Sequence, residues 1–116
     1  MSKTLSASPN QLLVVITSLP TIESAKVLAR ALVERNLAAC VQITDHVQSI
    51  YRWEGKLCED QEVLLSAKTL AAKWREISAF IESAHPYDLP EILAFAPEQY
   101  EKQYGKWVES EVNSRS

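Results

Sequence analysis

Ser49-Ile50-Tyr51-Arg52-Trp53-Glu54-Gly55-Lys56 reads as the end of a strand running into a turn. Ser49, Tyr51 and Trp53 fall on one face and Ile50 and Arg52 on the other, the two-residue period of a strand. Glu54-Gly55-Lys56 supplies the turn, and Gly55 is one of only two glycines in the chain. Beyond it Val63, Leu65 and Ala67 alternate against Glu62, Leu64, Ser66 and Lys68, so the two runs predict a β-hairpin. The first run stays strand-compatible from about Ala38 to Trp53, against a usual mean of roughly 5–6 residues. A strand that long outruns a small domain. Its overhang must bend, pair with another chain, or remain an open edge that invites association. The hairpin is read as an assembly device, with Tyr51 and Trp53 as packing or interface anchors.

On the N-terminal side, Gln11 to Leu19 holds the continuous apolar run Leu12-Leu13-Val14-Val15-Ile16, which predicts a central strand buried on both faces. Pro20-Thr21 opens a helix with Thr21 as N-cap and Glu23 in the first turn. Its buried stripe is Ile22, Ala25, Leu28, Ala29 and Leu32, and Asn36 is a suitable left-handed terminator. On the C-terminal side a second helix is expected from Thr69 or Leu70, with Leu70, Trp74, Ile77, Ile81 and Ala84 on one face. Pro86 stops it. Glu91 to Ala96 predicts a short strand. Tyr100, Tyr104, Trp107 and Val108 recur at helical spacing and predict a short C-terminal helix, weakened by Gly105 by about 1 kcal/mol relative to alanine. The order β-α-β-β-α-β is the ferredoxin-like α+β arrangement, a four-stranded antiparallel sheet with two helices on one face. The other face is left uncovered, a second reason to expect a homo-oligomer.

The chain has 116 residues and a net charge of −3, with 47% hydrophobic residues. That length predicts one packed domain over residues 11–113, preceded by a disordered N-terminal tail over residues 1–10. The acidic balance argues against nonspecific nucleic-acid binding, which needs a basic stripe. No run approaches the roughly 20 apolar residues of a membrane span, and the first ten residues carry no secretory pattern. A cytoplasmic protein is expected, with Cys40 and Cys58 reduced.

His85-Pro86-Tyr87-Asp88-Leu89-Pro90-Glu91 is the strongest candidate for chemistry. Two prolines restrict it, so its imidazole, phenol and carboxylates lose little entropy on binding. It is either a rigid connector whose histidine caps the preceding helix, a ligand-binding loop, or a metal site through His85. His46 falls in a polar stretch that predicts a bulge or bend. Cys40 is assigned to packing. Lys68 shares a strand face with Glu62 and is either half of an ion pair or an anion-binding lysine beside a helix N-terminus. No zinc spacing and no nucleophile, phosphate-loop or dinucleotide template is present, so no catalytic residues are assigned.

Taken in order, Leu37-Ala38-Ala39-Cys40-Val41, Ser49 to Lys56, Glu62, Lys68-Thr69, His85-Pro86-Tyr87, Pro90-Glu91-Ile92, Tyr104 and Trp107 resemble the CutA family of divalent-cation tolerance proteins. The resemblance covers almost all of Leu12 to Val108. It implies a homotrimer of ferredoxin-like subunits, similar in architecture to the PII signalling proteins, with Tyr51, Trp53 and Glu54 at the trimer interface. It also implies a role in the response to divalent metals, copper above all. Two departures stand out. The end of the first strand is Val15-Ile16-Thr17-Ser18, where some bacterial members carry a cysteine that contributes to copper binding. Glu98-Gln99-Tyr100-Glu101-Lys102-Gln103 replaces a glycine-bearing segment before the last helix. The leading expectation is a metal-response protein binding copper(II) or another divalent cation weakly, with His85 as candidate ligand. The alternative is a PII-like sensor for an anionic small molecule, with Lys68, His85, Tyr87 and Glu91 lining an inter-subunit cleft. A third reading is a scaffold acting through a protein partner.

Overall fold

The computed structural model describes residues 8–113. Its elements are β1 (Leu12–Leu19), α1 (Ile22–Glu34), β2 (Cys40–Trp53), β3 (Lys56–Leu70), α2 (Trp74–Ala84), β4 (Ile92–Phe95) and α3 (Lys102–Val112). The strands form one antiparallel sheet in the order β2-β3-β1-β4. This is the ferredoxin-like α+β architecture. The hairpin is as long as its alternation predicts, with 14 residues in β2 and 15 in β3. Trp53 pairs with Lys56, leaving Glu54 (φ 51) and Gly55 (φ 80) as a two-residue turn. Positive φ at both central positions matches the turn twist to the strand twist, which is why glycine sits there. The expected irregularity is a bulge between Thr44 and Val47, where His46 takes φ 62 and its N–H bonds the Asp45 carboxylate at 2.7 Å.

The principal core lies between one sheet face and the first two helices. Ala25, Leu28, Ala29 and Leu32 of α1 and Ile77 and Ile81 of α2 pack on Val15, Leu19, Val63, Leu65 and Ala67. Thr21 caps α1 reciprocally with Ser24, as the sequence predicts for that position, and Asn36 (φ 58) ends it. The Asn36 side-chain amide also donates to the Glu111 carbonyl at 2.9 Å, tying α1 to α3.

Several expectations need correction. The segment Thr69-Leu70 is strand, not helix: it pairs with Leu13 and Leu12 of β1, and the Thr69 hydroxyl donates to the buried Leu37 carbonyl at 2.7 Å. A short 3-10 turn, Ala71–Lys73, precedes α2. Trp74 is consequently rotated off the core and is 36% exposed, and Ala84 is exposed too. β4 is shorter than expected because only Val14 to Thr17 of β1 pair with it. Val14 and Ile16 are half-buried, so β1 is fully enclosed on one face only. Pro9, expected in the tail, accepts a bond from the Ala72 N–H at 3.0 Å, and the rest of that expected tail, Met1 to Ala7, lies outside the described residues.

The second sheet face is not bare. Val108 and Val112 of α3 seal Leu12 and Leu70 at one end of it. Gly105 belongs to this arrangement: a Cβ there would lie 2.5 Å from the edge of the Tyr100 ring, so the missing side chain admits the ring. The rest of the face presents Val14, Ile16 and Leu64 beside Leu93 and Phe95, which are 45% and 55% exposed.

Candidate functional site: an acidic cleft with aromatic walls

Where the hairpin leaves the body of the sheet, a cleft of about 650 Å³ opens between β2–β3 and the loop from Pro86 to Glu91. Alternation puts Tyr51 and Trp53 of β2 on the same sheet face as Asp60 and Glu62 of β3, and all four line it. Tyr87, Asp88, Leu89 and Glu91 form the opposite wall, with Ser18 from the end of β1 between them. The lining holds four carboxylates and no basic side chain, while the whole chain carries only −3. Its acidity is therefore concentrated here.

Hydrogen bonds fix this lining. The Tyr87 hydroxyl donates to Glu62 Oε2 at 2.8 Å, joining the loop to β3. The Tyr51 hydroxyl donates to the Asp60 carboxylate, and Ser18 Oγ donates to Glu91 Oε1 at 3.0 Å. A phenol that donates to a carboxylate resists losing its proton. The bond to Asp60, then desolvation and the nearby negative charges, push the Tyr51 pKa up to about 12. Burial raises the Tyr87 pKa further, and the bond to Glu62 adds to it. Both phenols stay donors at neutral pH.

His85 holds the loop from behind. It is only 9% exposed. Its Nε2 lies 2.8 Å from the Ser18 carbonyl and 3.1 Å from Thr17 Oγ1, and its Nδ1 accepts the Tyr87 N–H at 3.1 Å. A carbonyl can only accept and an amide N–H can only donate, so this geometry assigns the Nε2–H tautomer. Burial pushes the pKa below the usual histidine value, against opposing pulls from the Ser18 bond and the Glu62 charge. The imidazole is thus neutral, as a metal ligand must be, yet both nitrogens are already engaged. In this conformation both ring nitrogens serve to position the loop; His85 is the C-cap residue of α2, but its side-chain bonds run to β1 and to Tyr87.

Of the four residues expected in a ligand cleft, Tyr87 and Glu91 line it and His85 braces it from outside. Lys68 is elsewhere. It lies six positions along β3 from Glu62, about 20 Å at the strand rise, and its ammonium donates to Gln42 Oε1 at 2.7 Å. The expected Lys68–Glu62 ion pair is absent for the same reason. Tyr51 and Trp53 line the cleft and are 41% and 50% exposed, while Glu54 sits in the turn. Asp60 and Ser18 were given no site role from sequence, and Asp88 and Leu89 only as members of the candidate loop. Asp60 was legible in principle, since it shares the Glu62 strand face, across from Ser49 and diagonal to Tyr51. Among the described residues no three His, Cys, Asp or Glu side chains converge as a metal site would require. The donor set therefore does not fit a tightly chelated ion within one subunit.

Fold and cleft define a small ferredoxin-like protein with a projecting hairpin and an acidic pocket at its base. The chain belongs to the CutA1 divalent ion tolerance protein family, whose pattern it matches over residues 13–111. It is 46% identical over 89 residues to the Protein CutA homolog of Xenopus laevis, covering 77% of this chain and 59% of that one. It is 41% identical over 95 residues to the divalent-cation tolerance protein CutA of Thermus thermophilus, covering 82% and 92%. The chain thus spans about 59% of the length of the frog relative but nearly all of the bacterial one. The periplasmic divalent cation tolerance protein CutA of Archaeoglobus fulgidus superposes with a TM-score of 0.85 at 30% identity, covering 88% of this chain and 99% of that one. These names describe tolerance proteins and not enzymes.

Proposed function

We propose that the protein acts as a homotrimer in the response to divalent cations and binds copper(II), or a comparable ion, weakly at the acidic cleft. The lining of the cleft carries this reading: four carboxylates and no basic side chain in the lining concentrate cations from solution. The lack of a convergent ligand set supports weak binding, no tighter than micromolar, or roughly −8 kcal/mol. Copper(II) at His85 would require breaking the Nδ1 bond to Tyr87 or the Nε2 bond to Ser18 first. Trimer formation is supported by the exposed Leu93 and Phe95, the exposed Tyr51 and Trp53, and the unpaired edge of β2. Closed three-fold pairing would cover Leu93 and Phe95, pair that edge, and bring a neighbouring subunit against Tyr51 and Trp53 at the rim of the cleft. The free cysteines Cys40 and Cys58 favour a reducing compartment and hence the cytoplasm. Among the described residues no helix is long and apolar enough to cross a membrane. The alternative, an anion sensor with its cleft between subunits, is less favoured because the acidic lining of this subunit's cleft repels anions.

The test combines sedimentation equilibrium with calorimetric copper(II) titration. A mass near one subunit would sink the trimer. Nanomolar copper binding that persists in an Asp60→Asn/Glu62→Gln variant would place the ligands outside the cleft.

A further inference from the structure

We infer that the hairpin is a hinged arm whose angle to the body of the subunit is set by one strut, the hydrogen bond from Tyr87 to Glu62, and that the strut aims the arm at a partner subunit. The aiming rests on the trimer reading above; the hinge stands on the subunit alone. Support from β1 ends at the pair Leu19–Val63. Beyond it, residues 47–62 form a two-stranded ribbon that contributes nothing to either core cluster and has no buried residue within the subunit. The bulge falls at the same level. Thr44 pairs with Leu64 and Val47 with Glu62, so Asp45 and His46 together oppose Val63. A bulge interrupts the ladder and bends the strand, and here the His46 N–H goes to the Asp45 carboxylate. The ribbon therefore loses its third strand and its regular ladder at one level, and that level is the hinge.

The strut is built to be stiff. Both ends of the loop that carries it are tied to Ser18 of β1: the His85 Nε2–H donates to the Ser18 carbonyl at 2.8 Å, and the Ser18 hydroxyl donates to Glu91 Oε1 at 3.0 Å. Pro86 and Pro90 restrict the backbone between those ties, and the Tyr87 N–H donates to His85 Nδ1 at 3.1 Å. From this clamped loop the Tyr87 hydroxyl reaches Glu62 Oε2 at 2.8 Å, on the first residue of β3 beyond the hinge. Among the described residues it is the one side-chain hydrogen bond between residues 47–62 and the rest of the subunit, since those of Gln48, Tyr51 and Cys58 stay within the arm. Leverage magnifies its effect: Lys56 to Glu62 projects roughly 20 Å at the strand rise, so a swing of about 15° carries the tip through about 5 Å. An interface that needs the arm at one angle forms more slowly when the arm must first be brought there.

The experiment compares two phenols with the same partner chemistry. Tyr87→Phe removes the strut, whereas Tyr51→Phe removes a hydroxyl bonded to Asp60 within the arm. Amide hydrogen exchange on the full-length assembled protein should be at least threefold faster over residues 43–48 in Tyr87→Phe, across β3 from the lost bond, and unchanged there in Tyr51→Phe. Unchanged exchange over 43–48 in Tyr87→Phe, or the same acceleration in Tyr51→Phe, would overturn the hinge. Refolding from urea at several protein concentrations tests the aiming. The concentration-dependent step should slow at least threefold in Tyr87→Phe while the concentration-independent step keeps its rate. Glu62→Leu should slow it likewise and the double variant no further, because a single interaction is lost in all three. An unchanged concentration-dependent step, slowing confined to the concentration-independent step, or additive effects of the two substitutions would overturn the aiming. A wild-type sedimentation mass near one subunit would sink the trimer reading and the aiming with it, and the exchange comparison would still decide the hinge.

Discussion

Lowering the pH should destabilise the protein through His85, and the structure sets both sign and scale. The side chain is buried, its Nδ1 lone pair accepts the Tyr87 N–H, and its Nε2–H is given to the Ser18 carbonyl. Protonation at Nδ1 would put a hydrogen where another hydrogen already points. The unfolded imidazole titrates near 6.5 and the native one below it, because burial disfavours the cation. Between those two values the unfolded chain holds the extra proton, so stability is intact above about pH 6.5 and falls as pH descends towards the native pKa. One proton sets the limiting slope at about 1.4 kcal/mol per pH unit. The assay is urea unfolding from about pH 5 to pH 8 at fixed protomer concentration, because assembly into the proposed trimer would make apparent stability concentration-dependent. His85→Gln should start lower, since buried groups left without partners cost about 1–3 kcal/mol each. It should also lack this part of the acid slope. Parallel pH profiles for wild type and His85→Gln would refute the argument, as would a native His85 pKa above 6.5 by NMR.

Other expectations follow from the same packing. Trp53→Ala should lower the trimer fraction in gel filtration while leaving the subunit folded, because Trp53 stands on the projecting hairpin; an intact trimer would remove that residue from the interface. Trp74→Ala, at a site that is 36% exposed, should cost well under the 3–5 kcal/mol of a fully buried tryptophan, and loss of the fold would mean the side chain is covered in the assembly. Thr69→Val keeps the shape but leaves the buried Leu37 carbonyl without its donor, so chemical denaturation should show a loss of about 1–3 kcal/mol. An unchanged midpoint would mean that the carbonyl finds another partner.

Where one physical rule governs a segment, the sequence alone determined its structure. Period-two alternation gave the long hairpin, Glu54-Gly55 its turn, and Thr21 and Asn36 the bounds of α1. In each case the deciding forces act within a few residues. The start of α2 was misplaced because Thr69 and Leu70 are claimed by β1 and by the Leu37 carbonyl, partners more than thirty positions away. That shift turned Trp74 outward. The candidate loop was legible as a constrained, polar segment, but the role of His85 was not. Histidine spacing carries no information about a carbonyl on β1, the partner that engages Nε2 and makes the side chain a brace of the loop. Likewise Lys68 and Glu62 share a face by alternation, yet the strand rise separates them by about 20 Å. Only the tertiary structure sets Asp60 and Glu62 opposite Asp88 and Glu91, because a cleft is made by elements distant in sequence meeting in space. Its acidic character, and so the sign of any ligand it takes, follows from that meeting.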